Sequence, residues 1–266
     1  MIAVSAITSY LYCPKKFYMQ YVLGLREPAK KPTIEGTIIH EAVDKMQKGL
    51  DDATSQVNEN TTKADLEINY KKAFYLGLFN SINANEQTLK NLELDKKEVF
   101  NNLWEQLSAD ALKKAAFVFR LVSTHKIYGK ELLEKIKEST EVKLESDTLG
   151  LRGIADRIEE RDETILVYEM KTGKAPAEGM WPNHKIQLAA YMMIAKESNK
   201  KNIEGAVEYG ESIRRLNLNP FIEDEVKKLV KIAEEIIETR KIPQCQMNEN
   251  KCKICGLKKY CDYLQR

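Results

Sequence analysis

Apolar residues recur three and four positions apart through much of this chain, and in one later stretch they alternate instead. "TSYLYCPKKFYMQYVLGL" predicts two short helical pieces, with Phe17, Tyr18, Tyr21, Val22 and Leu25 as a core-facing stripe. Pro14 suits the first turn of the second piece, which puts Cys13 near its N-cap. A further amphipathic helix is expected over Thr33 to Leu50. From Asp51 to about Thr140 the chain is polar, charged and free of proline. Its periodicity predicts helices over "DLEINYKKAFYLGLFNSI", "KEVFNNLWEQLSADALKKAAFVFRLV" and "KELLEKIKE". Near Ser139 the period drops to two. "STEVKLES", "GLRGIADRIEE" and "ETILVYEMKTG" read as strands. A helix over His184 to Ser198, the strands "IEGAVEYGE" and "SIRRLNL", and a long helix over Phe221 to Lys241 follow. The expectation is an α/β (α+β) core under a helical hood. Its parts are N-terminal helices (1–50), a helical insertion (51–138), a core (139–243) and a cysteine-rich tail (244–266).

Composition narrows the class. The chain has 266 residues, 43% hydrophobic and 31% charged, which suits a globular protein of one elaborated domain or two small ones. A net charge of +2 does not by itself announce a nucleic-acid binder. No apolar run approaches the ~20 residues that span a bilayer, and no basic region precedes the first apolar run. The expected location is cytoplasmic, with no membrane association. There disulfides are rare and clustered cysteines more often bind metal.

The candidate chemistry lies in "GIADRIEERDETILVYEMKTGK". With Asp162-Glu163 at the centre of a turn, Asp156 would face Glu169 across a hairpin, and Lys171 would lie on the same face. Ile154, Ile158, Ile165 and Val167 share that face, so both carboxylates would stand among apolar neighbours. Paired carboxylates in such a place repel and lose hydration unless a cation or proton compensates. A divalent ion with oxygen ligands would do so, with Lys171 beside it to orient water or stabilise phosphate charge. The bland alternative is a solvated hairpin with an ordinary Glu-Lys pair. Gln187 and Tyr191, four apart, share the face of the next helix. His40 lies among apolar residues, where a lone histidine is more often a core residue than a ligand. His125 and His184 are read as structural.

Of the 5 cysteines, Cys13 stands alone near the start, and Cys245, Cys252, Cys255 and Cys261 lie near the end. Cys252, Cys255 and Cys261 form C-x2-C-x5-C. From spacing alone a zinc site is open, and so is a set of unrelated reduced thiols.

Taken in order, "SYLYCPKKFYMQYVLGL", "GTIIH", "GIADRIEE", "YEMKTGKAP" and "QLAAY" resemble the RecB-like nucleases of the PD-(D/E)XK superfamily. With the cysteines, the chain resembles the CRISPR-associated RecB-family exonucleases, and it is similar also to the nuclease domain of AddB-type recombination enzymes. The resemblance implies a restriction-endonuclease-like core sheet flanked by helices. It implies His40, Asp156 and Glu169 as ligands of Mg2+ or Mn2+, and Asp156, Glu169 and Lys171 as catalytic residues. Gln187 and Tyr191 would contact DNA, and Cys13, Cys252, Cys255 and Cys261 would hold a 4Fe–4S cluster, leaving Cys245 outside the set. Ala155 stands where the superfamily name expects proline, and the 51–140 stretch is longer than in compact members. The implied function is a DNA exonuclease on single-stranded ends, 5′-to-3′, trimming DNA for CRISPR spacer acquisition beside the integrase. A DNA-end or motif recognition subunit and an AddB-type repair nuclease are the alternatives. Lys15, Lys16, Arg214, Arg215, Lys251, Lys253, Lys258 and Lys259 are candidate phosphate contacts.

Overall fold

The computed structural model describes residues 1–136, 138–161, 163–171, 173–210 and 212–263. The chain opens with a short strand β1 (Ile2–Ala3), helix α1 (Val4–Tyr12) and helix α2 (Pro14–Phe17), which runs on as a π-helical turn, Tyr18–Val22. Cys13 is the extended N-cap of α2, and Pro14 fills the first helical position. Phe17 and Tyr18 of the expected stripe are buried, as is Met19 beside them, whereas Tyr21 is open to solvent.

Helix α3 (Lys31–Ser55) passes residue 50 without a break. It packs with α4 (Lys63–Ala84), α5 (Glu86–Asn91), α6 (Lys96–His125) and α7 (Gly129–Lys135). These helices begin where their sequences say they should. Thr62 and Asp65 form a capping box for α4, and Asp95 accepts from the Glu98 amide to start α6. Ile38, Met46, Leu66, Leu78, Leu107 and Ala115 belong to a hydrophobic core that the helical layer keeps for itself. At the α3–α4 crossing the backbones nearly touch: a Cβ on Gly77 would lie 2.7 Å from the Ala42 carbonyl oxygen. Alanine favours a helix by about 1 kcal/mol over glycine. Gly77→Ala is nevertheless expected to destabilise the protein by about 1–3 kcal/mol, because backbone meets Cβ and no rotamer relieves it. Thermal melting checks this; a variant that melts above wild type would show that the helices can move apart freely.

The second layer is a six-stranded sheet among the described residues. Strand β3 (Leu151–Arg161) is its centre. It pairs antiparallel with β2 (Glu138–Ser146) on one edge. On the other edge it meets β1 in parallel at Leu151 and Arg152, and β4 (Thr164–Lys171) antiparallel from Arg157 to Arg161. Helix α8 (Pro182–Ser198) carries the chain to β5 (Asn202–Tyr209), parallel to β4, and β6 (Ser212–Asn217) forms the edge. Helices α1, α8 and α9 (Pro220–Thr239) cover one face around Leu151, Val167, Leu188, Val207 and Val226. Asn219 caps α9 just before Pro220. The short helices α10 (Glu249–Lys253) and α11 (Lys258–Tyr263) end the described chain.

The β3–β4 register agrees with the sequence expectation: Ile158 opposes Val167 and Arg161 opposes Thr164. Residue 162, at the expected turn, lies outside the described residues. The expected apolar setting needs one correction. Ile154 is 45% exposed, while Ala155, Asp156 and Arg157 are buried in succession. The alternation slips there. Gly153 and Ala155 face α1 and α8, and from Asp156 onward the even positions join the face that carries Val167.

Candidate active site

The slip in β3 coincides with the place where the hairpin opens. The last ladder pair between β3 and β4 is Arg157 with Tyr168. Beyond it the Met170 amide donates to the Asp156 carboxylate at 2.6 Å instead of to a strand carbonyl. A buried amide needs some acceptor, and here a side chain supplies it. Glu169 and Lys171 stay on β4, paired along its other edge with Val207 and Tyr209 of β5.

Helix α3 brings His40 over this opening. Its Nδ1 lies 3.1 Å from Asp156 Oδ1 and 3.7 Å from Glu141 Oε1. His40, Glu141 and Asp156 each offer a ligand atom within 4.8 Å of the others. Glu141 is the residue that sequence reasoning missed. In "STEVKLES" it occupies a polar position of an alternating strand, which reads as solvent-facing. The backbone at Glu141 is left-handed, φ 48°, which is uncommon for a glutamate and re-aims the side chain into the site. The one available signal was its register position directly across β3 from Asp156.

The electrostatics follow from crowding. Burial works against protonation of His40, but hydrogen bonds to Asp156 and Glu141 and the charges of Asp156 and Glu169 outweigh it, raising its pKa to about 10. Burial, and then the charge of Asp156, push the Glu169 carboxyl upward, against the pull of Lys171. Glu169 is only 2% exposed. Its Oε1 accepts from Lys171 Nζ at 2.5 Å, and its Oε2 is buried without a hydrogen-bond partner among the described residues. Lys171 also donates to Gln187 at 3.1 Å, and Gln187 donates to the Tyr191 hydroxyl at 3.4 Å. Gln187 lines the open cleft with His40, Asp156 and Lys171, whereas Tyr191 is buried behind it. A Cβ on Gly153 would lie 2.6 Å from the Tyr191 ring, so glycine makes room for that ring.

The residues present fit a divalent cation. An orphaned carboxylate oxygen at full burial is costly, and the three remaining donors are the oxygen and imidazole groups that such ions accept. The cleft measures about 620 Å³ and is open to solvent, enough for a phosphodiester strand to approach. His184 is beside it but engaged: its Nδ1 lies 2.9 Å from the Tyr209 hydroxyl. Burial and then the charge of Lys171 lower its pKa to about 4.

Cys13 meets Cys245, and Cys252 and Cys255 lie near Tyr12, the neighbour of Cys13. Cys13, Cys252 and Cys255 all act on the Tyr12 hydroxyl, whose pKa is raised by burial first and then by the charge of Cys255. Cys245, outside the C-x2-C-x5-C spacing, has its sulfur 3.6 Å from that of Cys13. Two of the lysines considered for phosphate are used nearby within the fold. Lys16 pairs with Glu27 at 2.5 Å, and Lys251 donates to the Tyr12 carbonyl at 2.9 Å.

Comparison with known proteins gives this geometry a family. The first curated relative is a CRISPR-associated exonuclease Cas4/endonuclease Cas1 fusion of Myxococcus xanthus (strain DK1622). It is 31% identical over 136 residues, 48% of this chain and 24% of its own length. A Cas4/Cas1 fusion of Leptospira interrogans serogroup Icterohaemorrhagiae serovar Lai (strain 56601) is 26% identical over 156 residues, 53% of this chain and 29% of its own. The matches span about a quarter of the length of these curated relatives. A solved structure from Eubacterium rectale, whose name proposes an exonuclease, aligns with 97% of this chain and 86% of its own. Its identity is 11% and its TM-score 0.48. The family model of the PD-(D/E)XK nuclease superfamily matches residues 1–262. With that match spanning the carboxylate hairpin, the histidine helix and the cysteine tail alike, this chain belongs to the PD-(D/E)XK nuclease superfamily.

Proposed function

We propose that this protein is a divalent-metal-dependent DNA exonuclease that acts on single-stranded ends, 5′-to-3′, and trims DNA for CRISPR spacer integration. The observation that carries the reading is the buried Oε2 of Glu169, without a partner among the described residues, beside Asp156, His40 and Glu141 in an open cleft. A catalytic function explains why a fold would keep so costly a group.

His40, Glu141, Asp156 and Glu169 would hold Mg2+ or Mn2+. Bound there, the ion supplies Lewis acidity toward the phosphodiester and the attacking water. The chain does the rest. His40 must give up its proton to act as a ligand, so the site is self-neutralised by a proton until an ion replaces it. Lys171 is anchored between Glu169 and Gln187, with its ammonium fixed at the cleft where phosphate charge grows in the transition state. Tyr191 keeps its proton, because burial and then the charge of Glu169 raise its pKa. It therefore stays neutral behind Gln187 and holds that amide in place. Asp156 uses one oxygen on the Met170 amide and keeps the other toward His40.

Support for the CRISPR setting comes from the relatives, whose names join a Cas4 exonuclease to a Cas1 endonuclease. A Cas1-type integrase is the proposed partner. The cysteine end is proposed to hold a 4Fe–4S cluster, since Cys13 and the tail thiols are gathered around Tyr12. No described helix is long and apolar enough to cross a membrane. The direct test uses 5′- and 3′-end-labelled single-stranded DNA with Mn2+, and with EDTA added. Single-nucleotide products from the 5′ end, abolished by EDTA, are expected. Cleavage that survives EDTA would remove the metal mechanism, and metal-dependent binding without cleavage would favour a recognition subunit.

A further inference from the structure

The chain has five cysteines, one more than the proposed cluster would take, and the fold places two of them side by side. The Cys13 and Cys245 sulfurs are 3.6 Å apart, and both are half-buried and free of disulfides. They arrive by different routes. Cys13 is fixed at the start of α2 by Pro14 and by the burial of Phe17. Cys245 lies in the segment between α9 and α10, which has no regular structure, and the Lys15 backbone amide donates to it. That amide belongs to the residue two positions after Cys13, so the two thiols share one small environment. Cys252, Cys255 and Cys261 are tied to one another by a short stretch of tail and cannot all be replaced by a single outside thiol.

We infer that Cys245 is a fifth ligand-competent thiol of the cysteine site, interchangeable with Cys13 as the group that closes it. The inference rests on the reading that these cysteines hold an iron–sulfur cluster. Its basis is geometric: a thiolate in contact with a ligating sulfur needs only a side-chain rotation and a small shift of an irregular segment to take its place. Cys13 stands at a helix N-cap, and Cys245 stands in a segment without regular structure. In either case Cys252, Cys255 and Cys261 would supply the other three thiolates. Spacing could not reveal this, because it separates Cys245 from Cys252 by a gap with no ligand meaning of its own.

The test compares full-length wild type, Cys13→Ser, Cys245→Ser and the double variant, purified anaerobically, by iron and sulfide content and by visible absorption. Each single variant is expected to keep at least half of the wild-type iron, and the double variant less than a tenth. A Cys13→Ser protein as empty as the double variant would overturn the inference, and so would a double variant that loads like either single. Wild type without iron would overturn the cluster reading and this inference together. That result is distinct from failure of the inference alone, in which wild type is fully loaded. A second measurement is independent of loading. Diamide added to chelator-treated protein should take one hydrogen from each thiol, forming the Cys13–Cys245 disulfide while its N=N bond becomes a hydrazine. Peptide mass mapping that finds Cys13 joined only to tail cysteines, with Cys245 unmodified, would show that the two thiols do not meet.

Discussion

Glu169→Gln should leave a protein that is more stable without metal and almost without nuclease activity. The wild-type carboxylate is buried, faces the charge of Asp156 and has one oxygen with no partner among the described residues. Glutamine keeps the shape and an acceptor for Lys171, and removes the charge that burial penalises. A gain on the order of 1 kcal/mol is expected, read as a rise of roughly 2–4 °C in melting temperature. Cleavage should fall by about 10³-fold or more, since loss of a metal ligand costs several kcal/mol of transition-state stabilisation. Melting curves in EDTA and single-turnover cleavage in Mn2+ measure the two effects on the same preparation. Retained cleavage would take Glu169 out of the active site, and lowered stability would mean that the carboxylate is satisfied within the fold.

The second large effect is a dependence on pH. His40 has its pKa raised to about 10 in the metal-free fold, against an ordinary value near 6.5. Its stabilisation is fully present below about pH 6.5 and is lost as pH climbs toward 10. Glu169 runs the same way: its pKa is raised, so its contribution is present below the ordinary carboxyl range and lost above it. Metal-free protein should therefore melt progressively lower from pH 6 to pH 10, by roughly 2 kcal/mol once solvent at the partly open His40 is allowed for. Mn2+ competes with the His40 proton, so it should bind more tightly at pH 8.5 than at pH 6.5, and its stabilisation should grow accordingly. Titration calorimetry in buffers of different ionisation enthalpy would also count the proton released. Equal Mn2+ affinity at both pH values would separate His40 from the metal site.

How much of this could be read from residues depends on how regular the backbone is. The β3–β4 register was legible from the assumed Asp162-Glu163 turn centre, which fixes every opposed pair; the run Ile165 to Glu169 is buried throughout and carries no alternation. Ile154 was misplaced because a single slip at Ala155–Asp156 exchanges the faces, and no residue type announces it. Glu141 was hidden for a related reason: its left-handed backbone cancels the parity that the strand pattern predicts. His40 could be placed on its helix by periodicity, but its approach to Asp156 depends on how α3 crosses the sheet, a property of packing between two cores. The meeting of Cys13 with Cys245 spans nearly the whole chain, and local spacing carries no information about it.

The N-terminal segment is closed into place by residues made much later. Ile2 bonds to the Gly150 carbonyl, Tyr18 donates to the Arg240 carbonyl at 3.0 Å, and Glu27 accepts from the Gly256 amide at 2.8 Å. Lys16 and Lys30 hold Glu27 as well, and with these bonds outweighing burial its pKa falls to about 2. During synthesis at ~5–20 residues per second, the gap between the first of these partners and the last corresponds to roughly 10–50 s. Over that interval Phe17 and Met19, both buried in the finished fold, have no permanent cover while the helical layer from α4 to α7 can already assemble. The order of emergence makes the segment around Phe17 and Met19 one of the last parts of this fold to settle, although it is made before the partners that hold it.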